Sequence, residues 1–258
     1  MEIILYISIL MMGVVFGSFF TLAVYRIPRK ENIVYGRSHC TTCNHKLGFL
    51  DLIPVFSYIF LKGRCRYCGE KIRIRYLLLE VFAGLVFLLI ALTRGINDLI
   101  NLTFIYLFVA GMFIIAGIDK ENNKITKGLL IYEFCIAIAH LIYIYTIENN
   151  ILKYVYGLLF LPIIVLIVEY LLKLFYQSKN KKQITINYYD IIYLALIGLM
   201  FGQNVQVFSF ILLVTVLSLW SLIHKSKNTT FCYPYTIIAI ITLLIEPYVS
   251  NIINLINL

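Results

Sequence analysis

Eight largely apolar stretches, most of them close to the length of a membrane-crossing helix, alternate along the chain with short polar joints and one long polar loop. They run from about 3 to 25, 77 to 93, 99 to 118, 128 to 147, 154 to 176, 188 to 202, 205 to 223 and 234 to 254, the second and sixth being short. The pattern predicts an all-α, polytopic transmembrane helix bundle of about eight spans. Residues 1–25 form a first span, 26–76 a polar loop and 77–258 the remaining bundle. Ile3 to Val24 follows acidic Glu2 and precedes no small-residue cleavage pattern, so it reads as a retained anchor. Neither a long linker nor an internal repeat is evident.

Composition agrees with the pattern. Of 258 residues, 61% are hydrophobic and 14% charged, and mean hydropathy is +0.89, which excludes an ordinary soluble globular chain. With the N-terminus outside, the inside segments hold 20 of the 22 Lys and Arg, 11 of them in the 26–76 loop. The positive-inside rule therefore places that loop in the cytoplasm. Its net charge of +8, of +9 for the chain, is the charge of a juxtamembrane segment in contact with anionic membrane lipid. It lacks the long basic run of a nucleic-acid tail, so no nucleic acid is expected, while an anionic segment of a protein partner stays open.

The loop carries Cys40-Thr41-Thr42-Cys43 and Cys65-Arg66-Tyr67-Cys68, separated by 21 residues. Paired thiolates from two knuckles suit tetrahedral zinc, and a reducing cytosol argues against disulfides. Cys40, Cys43, Cys65 and Cys68 are thus the expected ligands of a structural zinc ion. His39 and His45 are expected to stand beside the site, and Cys135 and Cys232 to be small buried packing residues.

Ionisable groups in or at the ends of spans are candidates for chemistry, here Glu80, Asp119, Glu133, Glu169, Asp190 and Glu246. Asp119 ends the third span and Asp190 opens the sixth, so span parity puts both at the cytoplasmic edge. Two carboxyls brought together there could share a proton, one activating a water and the other polarising a carbonyl. Alone, either reads as a solvated helix end. Glu133, Glu169 and Glu246 are expected to fill hydrogen bonds inside the bundle.

An ordered set of motifs resembles the type IV prepilin peptidases, membrane aspartic proteases that remove leader peptides from pilin-like precursors. It comprises Gly17-Ser18-Phe19-Phe20-Thr21, Tyr25-Arg26-Ile27-Pro28, Cys40-x-x-Cys43, Asp51-x-x-Pro54, Ser57-Tyr58, Gly63-Arg64-Cys65-Arg66-Tyr67-Cys68 and Arg75-Tyr76, followed by Glu80. The resemblance is close over residues 13 to 80 and rests beyond them on the span pattern and the two aspartates. It implies that Asp119 and Asp190 are catalytic, and that Gly17, Ser18, Arg26, Pro28, Gly63, Arg75, Glu80 and Asn187 support substrate or loop. Ile125-Thr126 stands where Ile-Pro is usual, with Thr126 able to cap the next helix. Asn187-Tyr188-Tyr189-Asp190 stands for Gly-x-Gly-Asp, Asn187 being able to take a glycine-like conformation.

The resemblance further implies pilin or pseudopilin precursors as substrates and a multi-pass place in the bacterial inner or plasma membrane, with the active site on the cytoplasmic face. S-adenosylmethionine enters as the methyl donor for the new N-terminus. The other readings are a non-catalytic zinc-loop adaptor of a pilus or secretion assembly, and a related membrane aspartic protease with another substrate.

Overall fold

The computed structural model describes residues 2–122, 125–148, 151–177, 187–223 and 232–256. Asn123 and Lys124, residues 178–186 and 224–231, which fall in the basic joints after the fifth and seventh apolar stretches, and the side chain of Glu169 lie outside the described residues. The chain is all-helical: among the described residues the only β pairings are the isolated bridges His39 to Lys46 and Arg64 to Lys71. It divides into two compact units, Met1–Ile96 and Asn97–Leu258.

In the first unit α1 (Glu2–Arg26) packs on α3 (Arg75–Arg94), with the polar loop and its short helix α2 (Phe56–Phe60) between them in sequence. Small residues let the two backbones approach. A Cβ on Gly13 would lie 2.8 Å from the Gly84 Cα, and one on Gly17 would lie 2.7 Å from the Glu80 Cα. Gly17→Leu should therefore prise the pair apart at a cost of about 1–3 kcal/mol, seen as a lower melting temperature in detergent. Val15→Leu, at an exposed position of the same helix, should leave melting unchanged.

α1 ends at Arg26, two residues before Pro28, which cannot continue a helix. The Arg26 side chain is buried and turns back into the loop, donating from Nη1 to the Asn32 carbonyl (2.9 Å) and from Nη2 to the Gly36 carbonyl (3.3 Å).

The second unit contains α4 (Leu99–Asn122), α5 (Lys127–Glu148), α6 (Leu152–Gln177), α7 (Tyr188–Ile223) and α8 (Cys232–Ile256). Polar side chains tie its apolar helices together. Tyr132 Oη donates to the Leu107 carbonyl (2.9 Å), His140 Nε2 pairs with Asn101 Oδ1 (3.0 Å), and the hydroxyl pairs Tyr193–Thr236 (2.7 Å) and Ser209–Thr242 (2.6 Å) join α7 to α8. Gly157 and Gly198 bring α6 and α7 so close that a methyl on either would meet the other's carbonyl oxygen.

Across the described residues six helices are long and apolar enough to cross a membrane, and a shorter apolar helix covers Leu152–Ile167. The expected sixth and seventh spans form one helical element, α7, broken at Gly202 (φ 82°, ψ 177°), where glycine alone is comfortable. The chain doubles back there: Gln206 Nε2 donates to the Leu194 carbonyl at 2.6 Å, whereas a straight helix would hold those residues about 18 Å apart.

Two smaller expectations are corrected. Thr126 stands directly before α5, but its buried hydroxyl has no partner among the described residues, so it does not cap the helix. Cys135 is exposed rather than a buried packing residue.

Candidate active site and metal centre

The four loop cysteines converge. Their Sγ atoms all lie within 4.8 Å of one another, and Cys40 Sγ is 3.9 Å from Cys68 Sγ. That separation is far beyond a disulfide bond, yet it matches the roughly 3.8 Å between thiolates on a tetrahedral zinc with Zn–S of about 2.3 Å.

The two knuckles are built alike. Cys40 N–H donates to the His45 carbonyl (3.0 Å) and Asn44 N–H to the Cys40 carbonyl (2.9 Å); Cys65 N–H donates to the Glu70 carbonyl (2.8 Å) and Gly69 N–H to the Cys65 carbonyl (3.0 Å). Asn44 (φ 55°) and Gly69 (φ 71°) take the left-handed turn after the second cysteine of each pair. The loop thus contains a short repeat, Cys-x-x-Cys-Asn/Gly-x-Lys, at 40–46 and 65–71, where no internal repeat was expected.

Backbone N–H groups of Cys43 and Thr42 draw the Cys40 thiol down to about 6. Cys68 is pushed up to about 12: the Glu70 N–H pulls it down, but burial and the thiols of Cys43, Cys65 and Cys40 outweigh it. Four thiols this close cannot all ionise until a cation sits between them, so the donor set fits a zinc ion. His45 is not among these ligands; its ring lies against Tyr67 with centroids 3.6 Å apart.

Other motif residues brace this centre. Asp51 Oδ1 accepts from Arg66 Nε (2.7 Å), while its Oδ2 accepts from Tyr67 Oη and from the Gly48 N–H, both at 3.0 Å. Burial opposes the Asp51 charge, but the Gly48 N–H, Arg66 and Tyr67 together hold its carboxyl below the usual range. A depressed carboxyl stabilises the folded loop fully above its ordinary pKa of about 3.9 and loses that effect as pH falls through the lower folded value. Asp51→Asn should accordingly speed amide hydrogen exchange around Gly48 and Tyr67 near neutral pH. The gap from wild type should close as the pH is lowered through that folded value.

Gly63 (φ 66°) is fixed by Tyr58, whose Oη would lie 2.8 Å from an added Cβ. Glu80, expected to support substrate or loop, accepts the Val55 N–H at 2.7 Å and a hydrogen bond from Ser18. It is thus a loop anchor, and Gly17 and Ser18 are the α1 residues that seat it. Arg75 opens α3, its guanidinium 5.2 Å from the Tyr76 ring centroid.

In the second unit Asp119 and Asp190 approach the same turn. Asp119, buried in the last turns of α4, accepts the Tyr233 N–H on Oδ2 at 2.9 Å. Asp190, half-buried at the start of α7, accepts the Cys232 thiol on Oδ1 at 3.1 Å. Both carboxyls are close enough to act electrostatically on Cys232. Lys120 Nζ donates to Tyr233 Oη at 3.0 Å on the same turn.

Asn187 precedes α7, and its Oδ1 accepts the Tyr189 N–H at 3.3 Å, an N-cap arrangement. Tyr188 and Tyr189 are helical without positive φ, so this turn needs no glycine.

Cys232 and Tyr233 are the site residues that sequence reasoning missed. Cys232 is buried as expected, but it hydrogen-bonds a carboxylate instead of only packing. Glu133 also departs from expectation. It is fully buried in the space left by Gly111, and neither carboxyl oxygen has a hydrogen-bond partner among the described residues.

These observations define a polytopic helical membrane protein with a four-thiol, metal-type centre in a polar loop and two carboxylates gathered at helix ends. Residues 11–94 match the family described as Bacterial Peptidase A24 N-terminal domain. Over 81 residues the chain is 38% identical to a prepilin leader peptidase/N-methyltransferase of Myxococcus xanthus, covering 31% of this chain and 24% of that protein. Over 125 residues it is 33% identical to the protein of the same name from Klebsiella pneumoniae, covering 45% and 53%. Over 158 residues it is 30% identical to that from Vibrio cholerae, covering 58% and 59%. The resemblance to type IV prepilin peptidases holds, while the matched stretches span 24%, 53% and 59% of the length of these relatives. No solved structure matches the chain.

Proposed function

We propose that this protein is a membrane aspartic endopeptidase that removes the leader from type IV pilin-like or pseudopilin precursors at the cytoplasmic face of a bacterial membrane. The observation that carries the reading is the convergence of Asp119 and Asp190, from two separate spans, on Cys232 and Tyr233. One carboxylate takes a proton from water, and the water oxygen attacks the scissile carbonyl carbon while the other carboxyl, protonated, donates to the carbonyl oxygen. The resulting gem-diol collapses as the C–N bond breaks: the leaving nitrogen takes a proton from the first carboxyl, and one diol hydroxyl returns its proton to the second carboxylate. A boundary site suits a substrate whose leader is polar and whose following segment is apolar and held in the bilayer.

In this reading Cys40, Cys43, Cys65 and Cys68 hold a structural zinc ion, which supplies a cross-link between two knuckles and takes no part in proteolysis. Transfer of a methyl group from S-adenosylmethionine to the freed N-terminus is the second activity, supported by the N-methyltransferase in the names of the relatives. The test is mass spectrometry of a pilin-like precursor incubated with the purified protein in vesicles. Release of the leader is expected, with a further methyl mass on the mature product when S-adenosylmethionine is supplied. An intact precursor overturns the protease reading in favour of an adaptor; a leader-free, unmethylated product overturns the methyl-transfer step alone.

A further inference from the structure

The loop carries a feature that neither zinc nor proteolysis uses. Phe49, Leu50, Leu52, Phe56, Ile59 and Phe60 are all exposed, Phe49 at 83% and Phe60 at 79%. Six bare apolar side chains within so short a stretch are costly in water and mark an interaction surface.

Its depth is set by a hydrogen bond. α3 is 20 residues long with Arg75 and Arg94 at its ends, about 30 Å of helix, the thickness of a bilayer's hydrocarbon core. Glu80, which accepts the Val55 N–H, sits five positions in from Arg75, about 7 Å along the axis. The backbone leading into α2 is therefore tied to a membrane-spanning helix below its charged end.

Irregular backbone is tolerated at such depth only when its polar groups are satisfied, and here they largely are. Leu52 N–H donates to the Phe49 carbonyl (3.1 Å), Ser57 to Ile53 (3.0 Å), Ile59 to Val55 (3.1 Å) and Leu61 to Ser57 (2.9 Å). Charge completes the pattern: Lys46, Lys62, Arg64, Lys71 and Arg73, on either side of the apolar stretch in sequence, are exposed. An apolar face flanked by cations is complementary to a leaflet of anionic lipid.

We propose that Phe49–Phe60 is an interfacial membrane anchor that sinks its apolar side chains into the leaflet beside α1 and α3, with the flanking Lys and Arg on anionic headgroups. This seats the metal-bearing loop against the bilayer, whatever chemistry the second unit performs.

The test uses the full chain with its one tryptophan removed, Trp220→Phe, and a reporter introduced by Phe60→Trp. The protein is reconstituted in phosphatidylcholine vesicles with and without phosphatidylglycerol. The emission should be blue-shifted and fall by about half when the lipids are brominated near the headgroup end of their acyl chains. It should be shielded from aqueous iodide, more so with phosphatidylglycerol present. In the Lys46→Gln, Lys62→Gln, Arg64→Gln variant that lipid preference should shrink. Emission that is water-like and indifferent to brominated lipid overturns the proposal. So does emission that changes only on adding a pilin-like precursor, or only with protein-to-lipid ratio, which would assign the surface to the precursor or to a second copy.

Discussion

Asp119→Asn and Asp190→Asn are each expected to slow cleavage of a pilin-like precursor by about three orders of magnitude or more, equivalent to about 4 kcal/mol of transition-state stabilisation. The amide is nearly the size of the carboxylate and keeps an oxygen that can accept the Tyr233 N–H at Asp119 or the Cys232 thiol at Asp190. It cannot take a proton from water or pass one to a carbonyl. Folding should therefore survive while proton transfer does not. Initial rates of leader release in vesicles, with melting temperature measured alongside, check this; a folded variant within about tenfold of wild type would contradict it.

Cys40→Ser and Cys65→Ser should each lower bound zinc from about one ion per chain to a small fraction of that, because a hydroxyl is a poor replacement for a thiolate on zinc. The consequence is local and large. Apart from Asp51 and its partners, little apolar burial holds the knuckles together: Cys65 is buried, whereas Cys43 and Cys68 are exposed. Metal analysis should be paired with limited proteolysis between Arg37 and Arg73, where cleavage should quicken in both variants and in wild type treated with a chelator. Unchanged metal content would refute ligation by these cysteines.

Much of this was legible in the sequence for physical reasons that need no tertiary information. A membrane-spanning helix must be apolar along its length, so the spans show as runs. Even the join between the sixth and seventh stretches falls at Gly202, where α7 turns back. Cysteines at a two-residue spacing write a metal knuckle into the local chain, and a glutamate among apolar residues announces itself as Glu80 did.

What stayed hidden depends on long-range packing or on an unremarkable residue type. Nothing in the local sequence says that Cys232 will meet Asp190, 42 positions earlier, or that the Tyr233 N–H will reach Asp119, 114 positions earlier. Asn187, expected to take a glycine-like conformation in place of Gly-x-Gly-Asp, has no positive φ and instead caps a helix that includes both tyrosines. Glu133 was expected to be hydrogen-bonded; that its carboxyl instead fills the space beside Gly111, with no partner among the described residues, cannot be read from a string of residues. The knuckle repeat was readable, in the left-handed Asn44 and Gly69 and the lysine two places on, but a seven-residue motif occurring twice is easily overlooked.

Whether Asp119 and Asp190 act on one water as a single unit, as proposed, is read from the cleavage rate of the Asp119→Asn, Asp190→Asn double variant beside the two single ones. With protein in excess over precursor, so that slow turnover remains visible, the double variant should be no slower than the slower single, since a unit already broken loses little more by a second cut. Rate losses that multiply, or a double variant that still releases leader near the wild-type rate, would contradict it.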